Sequence, residues 1–291
     1  MTGAADDAQD PPAGLAQVLA VTPVGPGVLT AQVPASDGRR PFGGHLIGLA
    51  LRAAATTLDA SVAAVPHAVH ARFLRAGRTE QPVRLEVTPV HDGRSVTVRR
   101  VALLQADRLL LSADFSFHAA EDAEDWQAQR PVVRLPPVAV SSPLTTATPL
   151  AGFEVRAEHA YTRGAPAQLH PFWVRHARRL PDDPALHACA LSVVTDIGVA
   201  GSARRPGSPL RIQLAGVSLD QTLWLHRPFR ADTWLRVAVA PVTNYGNRGL
   251  ARGEVHTTDG TLVASFVQEA LLREPGAVRL GPSPPRHHSD G

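Results

Sequence analysis

From Gly44 to Leu58, alanine and leucine recur on nearly every face of a helical wheel, the pattern of a helix buried almost all round. Short extended segments follow at His67–Leu74, Val83–Val90, Val96–Leu104 and Leu109–Phe117, with a tight-turn signal at Asp92-Gly93. No helical pattern separates these segments, so they are expected to pair antiparallel. The same order then returns. Asp183 and Pro184 give a cap and first-turn signal for a helix running towards Gly198. Strands are expected at Val217–Leu225, Leu235–Val242, Gly249–His256 and, after the turn Asp259-Gly260, Thr261–Leu272.

The repetition survives a direct test. Val83–Phe117 laid over Leu235–Glu269, a shift of 152 residues, matches Arg84, Val87, Pro89, Val90, Arg100, Asp107 and Leu110 with identical residues. Arg75 and Arg227 fall on the same shift. A repeat of this length changes the fold expected of the chain. Two copies of one long apolar helix followed by an antiparallel sheet predict an α+β tandem, or double, hotdog, each sheet wrapped around a helix. The repeats are placed at residues 15–120 and 151–275. A Pro-rich linker at 121–150 joins them, and loose Pro-, Gly-, Asp- and Ser-rich ends are expected at 1–14 and 276–291.

Composition narrows the function classes. An apolar fraction of 44% supports a sizeable core in a 291-residue chain. All 29 basic residues are arginine; set against 26 acidic ones they leave only +3, which does not suit a nucleic-acid groove. Cys189 is the single cysteine, so neither an intrachain disulfide nor a Cys-based zinc site is possible. The chain starts on an acidic, proline-containing run rather than a basic and then apolar one, and Arg52, Asp59 and His67 interrupt its longest alanine-rich stretch. A soluble cytoplasmic protein without a membrane span is expected.

Four stretches resemble the acyl-CoA thioesterase II family: Phe42-Gly43-Gly44-His45; Phe73-Leu74-Arg75 to Asp92-Gly93-Arg94-Ser95; Asp220 to Phe229; and Arg252-Gly253-Glu254 to Val267-Gln268-Glu269. The resemblance implies a hydrolase for acyl-CoA thioesters that needs no cofactor and no metal. It implies a catalytic set of Asp196, Ser218 and Gln268 around a nucleophilic water, with Gly43, Gly44 and His45 at the substrate. Two departures stand out: Ser218 replaces the commoner threonine, and His45 stands where the family usually has glutamine. Hotdogs commonly associate through their sheets, so a homo-oligomer is expected.

The residue types suit the reaction. A thioester carbonyl is already activated, and a carboxylate such as Asp196 can take the proton of an attacking water. A hydroxyl and an amide both donate and accept, so Ser218 and Gln268 can fix the water's other hydrogen bonds. The pair Gly43-Gly44 reads equally as a point of close packing and as a helix start where a carbonyl can approach backbone N–H groups. Arg75, Arg94, Arg100, Arg227 and Arg248 are candidates for the phosphates of coenzyme A. The shift of 152 carries Asp196, Ser218 and Gln268 to Gly44, Pro66 and Ser116, which predicts one active site per chain. Other constellations fail: there is no GxSxG elbow, Gly25-Pro26-Gly27 lacks a third glycine, and Cys189 lies in an apolar run. Two alternatives compete. A hotdog enoyl-CoA hydratase would carry histidine five residues after its aspartate, where this chain has Gly201. A non-catalytic hotdog that binds acyl chains or partners would not need all three polar positions.

Overall fold

Burial alternates along the strands, at Val83, Leu85 and Val87, at Val101 and Leu103, and at Leu111, Ala113, Phe115 and Phe117. A strand presents successive side chains to opposite faces, so these residues line one apolar face of a sheet. The computed structural model describes residues 14–34, 40–59, 63–119, 121–128, 152–158, 170–206 and 216–272. Both expected loose ends and most of the expected linker lie outside these residues. Residues 121–128 carry no regular secondary structure.

The first repeat contains α1 (Leu15–Val18), β1 (Thr22–Gly25), β2 (Val28–Ala31), α2 (Gly43–Ala55), β3 (Ala64–Phe73), β4 (Val83–Asp92), β5 (Val96–Gln105) and β6 (Arg108–Ala119). The second contains β7 (Phe153–Ala157), β8 (Phe172–His176), α3 (Pro184–Val194), α4 (Val199–Ser202), β9 (Gly216–Leu225), β10 (Leu235–Tyr245), β11 (Arg248–Thr257) and β12 (Leu262–Leu272). The expected helices and main strands are all present. The short helix α1, the hairpin β1–β2 and the strands β7 and β8 were not foreseen, and Gly25-Pro26-Gly27 is the turn of that hairpin. The second helix stops at Val194, short of Gly198. Gly198 takes a left-handed φ of 72° and starts α4 instead.

The two sheets join edge to edge into one antiparallel sheet of twelve strands, ordered β1-β2-β4-β5-β6-β3-β9-β12-β11-β10-β8-β7. Read from the centre, the order is the same in both directions once each strand is exchanged for its counterpart. The central register fixes the symmetry. His70 pairs with Thr222, Val69 with Leu223 and Ala71 with Gln221, and the shift of 152 maps this set of pairs onto itself about His70 and Thr222. The repeats are therefore related by a pseudo-two-fold axis through the β3–β9 pair.

Helix α2 packs over β3, β4, β5 and β6 and against α3, while α4 packs against β9 to β12. One continuous apolar cluster includes residues of both repeats. Neither half closes a core of its own. Every α2 residue from Gly44 to Leu51, with Ala53 and Ala54, is buried, as its all-round apolar pattern requires.

Where α3 begins, Asp183 closes the helix start. Its Oδ1 accepts from the Ala185 N–H at 2.9 Å and the Leu186 N–H at 3.2 Å. Its Oδ2 accepts from the Arg52 guanidinium, in the last turn of α2, at 2.6 Å. Burial pushes the Asp183 carboxyl up, but Arg52 and the two N–H groups outweigh it and hold it below the usual range. Asp183→Ala is expected to cost about 1 kcal/mol, most of it the lost cap. Asp183→Asn, which still caps, is expected to cost less. Urea unfolding of both variants checks the order, and equal losses would show that the ion pair, not the cap, carries the effect.

Candidate active site

Asp196 lies two residues beyond α3, and its carboxylate meets the start of α2. The Gly44 N–H donates to its Oδ2 at 2.8 Å. The first N–H groups of a helix have no intrahelical acceptor, so the contact satisfies one such donor and places an anion at a positive helix end. Close approach of the two helices is a condition for it. A Cβ on Gly44 would stand 2.6 Å from the Ser192 carbonyl oxygen, and one on Gly43 would stand 2.8 Å from Asp196 Oδ2 and 3.0 Å from the Phe73 ring. The glycine pair is a point of close packing, and that packing admits the Asp196 carboxylate to the helix start.

The sheet supplies the other two side chains. Gln268 Nε2 donates to Asp196 Oδ1 at 3.1 Å and to Ser218 Oγ at 2.7 Å, and the Ser218 hydroxyl donates to Asp196 Oδ1 at 3.4 Å. Gln268 is fully buried, and its Oε1 has no protein hydrogen-bond partner. A bulge brings Ser218 round. Gln268 pairs with Gln221 and Glu269 with Asp220, but Ala270 pairs with Ser218, leaving Leu219 as the extra residue. Without it Ser218 would fall on the opposite face of the sheet from Gln268.

The structure thus brings together Asp196, Ser218 and Gln268 with the backbone at Gly43 and Gly44. It does not bring the His45 side chain with them. That imidazole is buried, donates from Nε2 to the Val18 carbonyl at 2.9 Å, and is kept neutral because burial lowers its pKa to about 4. Facing the core, it has no route to a substrate. Among the arginine candidates, Arg75 donates to the Leu109 carbonyl, Arg100 pairs with Asp114, Arg227 with Asp125 and Arg248 with Glu269, while Arg94 is exposed. Cys189 is a core residue whose thiol burial pushes up to about 12.

Two supporting residues escaped the sequence reading. Gln221 is buried and donates to Thr195 Oγ1 at 3.0 Å, bracing the residue before Asp196. Its sequence neighbours Asp220 and Thr222 are polar, so nothing in the strand's pattern marks it. Phe73 flanks Gly43.

The geometry also revises the repeat mapping. Ser218 still corresponds to Pro66. Gln268 does not correspond to Ser116: its partner Gln221 maps to Val69, and Val69 pairs with Phe115. Asp196 does not correspond to Gly44 either. It lies two residues past the end of α3, and the residue two past α2 is Thr57. The first repeat therefore has threonine, proline and phenylalanine where the second has its three polar groups.

Comparison with known proteins identifies the family. The family model described as the acyl-CoA thioesterase N-terminal domain matches residues 17–118, and that of the C-terminal domain matches residues 121–272. The chain belongs to the acyl-CoA thioesterase family. It is 28% identical to acyl-coenzyme A thioesterase 8 of Homo sapiens, over 92% of each chain. It is 27% identical to acyl-CoA thioesterase 2 of Haemophilus influenzae, over 81% of this chain and 88% of that one. The crystal structure of an acyl-CoA thioesterase II from Mycobacterium marinum superposes with a TM-score of 0.75 at 30% identity, covering 91% of this chain and 99% of that one.

Burial dominates the titration of Asp196. It pushes the carboxyl up to about 6, against the opposing pull of the Gly44, Gln268 and Ser218 hydrogen bonds. The sign for stability follows. Between the usual carboxylate value of 3.8 and about 6, the unfolded chain ionises while the folded chain holds its proton, so stability falls as pH rises through that window. The cost reaches roughly 3 kcal/mol at neutral pH. Asp196→Asn is expected to lack this fall. Thermal unfolding between pH 4 and pH 7 measures it, and parallel curves for wild type and variant would contradict a buried, ionisable Asp196.

Proposed function

We propose that this thioester hydrolase cleaves acyl-CoA to a free acid and coenzyme A by direct attack of a water held by Asp196, Ser218 and Gln268. The convergence of the Ser218 and Gln268 side chains on the buried Asp196 carboxylate carries the reading. Asp196, with a pKa near 6 and therefore ionised at neutral pH, takes the water's proton as general base. The free Gln268 Oε1 accepts the water's other O–H. Ser218, held between Gln268 and Asp196, fixes the geometry of both.

As the carbonyl carbon becomes tetrahedral, its oxygen gains negative charge. Gly44 spends its N–H on Asp196, and the neighbouring first-turn N–H groups of Gly43 and His45 have no intrahelical acceptor. They are the donors proposed for the oxyanion, which gives Gly43 and the backbone of His45 a substrate-binding role. The thiolate of coenzyme A then leaves, and the proton held by Asp196 is returned to solvent or to the thiolate. The first repeat has no counterpart of the polar set, so one centre works per chain.

The partner arrangement expected of hotdogs, a homo-oligomer joined through its sheets, belongs to the same proposal; a single-chain mass in analytical ultracentrifugation would overturn it. Among the described residues no helix is long and apolar enough to cross a membrane. The cytoplasm remains the compartment proposed.

Asp196→Asn keeps the shape and removes the proton acceptor, so kcat is expected to fall about 10²–10⁴-fold. A kcat within about threefold of wild type would remove Asp196 as base. Gln268→Ala is expected to lower kcat strongly and Ser218→Ala less, because solvent can replace one hydrogen bond to a water. Ser116→Ala, on the opposite face, is expected to leave turnover unchanged. A larger loss for Ser218→Ala than for Asp196→Asn, with an acyl-serine trapped for mass spectrometry, would make Ser218 the nucleophile.

The same base sets the pH profile. Protonation disables it, so kcat/KM for a short acyl-CoA is expected to fall tenfold per unit below about pH 6 and to level off above it. Activity that stays flat down to pH 5 contradicts the assignment.

A further inference from the structure

A second cleft of about 360 Å³ lies where the pseudo-two-fold axis carries the active site. Pro184, Pro66 and Leu225 line it. They are the counterparts of Gly43 at a helix start, of Ser218 on the bulged strand, and of Phe73. Its walls are apolar at Val65, Ala188, Pro228 and Phe229, and His67, His118, His187 and His226 line it with Arg227, Arg230 and Asp182. The volume is at the small end of the range for ligand pockets, and apolar walls with a few convergent polar groups are their usual make-up.

One group in it is unused. His187 is 4% exposed, and its Nε2 has no protein hydrogen-bond partner. The Ala231 N–H donates to its Nδ1 at 3.2 Å, which places the ring proton on Nε2. A buried N–H donor without an acceptor costs free energy, and a bound oxygen would recover it. The other polar groups around it are partly engaged. His67 meets the Ser116 hydroxyl at 2.7 Å, His226 meets that of Ser265 at 2.8 Å, Arg227 holds Asp125, and Arg230 holds Asp182 and Asp232. Both arginines are already matched by carboxylates, Arg227 by Asp125 and Arg230 by Asp182 and Asp232, so His187 and not net charge is what the cleft offers a ligand.

We propose that this cleft is a second, non-hydrolysing acyl site, binding an aliphatic chain through a carbonyl or carboxylate oxygen on His187 Nε2. It does not cleave what it binds, because the positions matching Asp196, Ser218 and Gln268 are Thr57, Pro66 and Phe115. The inference rests on the repeat symmetry and on His187, not on the water mechanism.

Val65 lines the cleft and is 38% exposed, so a larger side chain there is expected to fill the cleft from outside without disturbing the core. The test is isothermal titration of two probes, decanoate and the unreactive ketone S-(2-oxododecyl)-CoA, into wild type, Val65→Trp and His187→Leu. One binding event is expected to vanish in Val65→Trp and to weaken about tenfold in His187→Leu. Both variants are expected to keep kcat within about twofold of wild type, which also reports that they fold. An event seen with decanoate identifies a free acid as the ligand; one seen only with the ketone identifies the thioester itself. No event in wild type that Val65→Trp removes, for either probe, overturns the proposal, whatever becomes of the catalytic centre.

Discussion

The hydrogen bond from the Gly44 N–H to the Asp196 carboxylate is the contact on which fold and chemistry both turn. It joins the start of one repeat's helix to the end of the other's, so it exists only when the two halves have docked. Docking that close needs residues without side chains, and a Cβ at Gly44 would press on the Ser192 and Val193 carbonyls and on Asp196 itself. The same contact sets the carboxylate's chemistry. The helix start and the sheet's amide favour the ionised form while burial opposes it, and burial wins by enough to bring the pKa to about 6. A fully solvated aspartate would be a weaker base, and a fully desolvated one would hold its proton at neutral pH.

Much of this was readable in the sequence, for identifiable reasons. The two long helices and eight main strands follow from apolar runs punctuated by turn residues, and the repeat follows from identities at a constant spacing. The elements missed lack those signals. β1, a four-residue edge strand containing Pro23, is wholly exposed, and β7 and β8 are five residues each. Gln268 was reached through the family resemblance, whereas Gln221, set between Asp220 and Thr222, carried no mark of its own. What a single strand does not encode is register. The bulge at Leu219 decides which way Ser218 points, and it belongs to the pairing of β9 with β12, not to either strand alone. The error in mapping Gln268 to Ser116 comes from a turn: Gln105 pairs with Arg108 across two residues, whereas Thr257 meets Thr261 across three, so β12 runs one residue out of the constant shift. Only the side chain of His45 lies away from the Asp196 group, because a motif position says nothing about which side of a helix faces the neighbouring one.

Both helix junctions put an aspartate against a helix start, yet they produce opposite electrostatics. At the start of α3, Asp183 caps its own helix and faces Arg52, and its pKa is held low. At the start of α2, the carboxylate arrives from the other repeat and meets only neutral donors, Gly44, Ser218 and Gln268, and its pKa is raised. A carboxylate neutralised by arginine is a structural clamp, since moving a proton onto it would break the ion pair. One surrounded by neutral donors can take a proton without losing a charged partner. The difference between clamp and base is thus set by whether the facing helix ends in Arg52 or leaves the carboxylate to the sheet. The two junctions of a pseudo-symmetric fold thus hold their aspartates in different electrostatic states, and under the proposed mechanism only the Asp196 one would serve as a base. At the other junction the positions matching Ser218 and Gln268 hold Pro66 and Phe115, and among the described residues lining its cleft His187 is buried with an N–H that no protein group accepts.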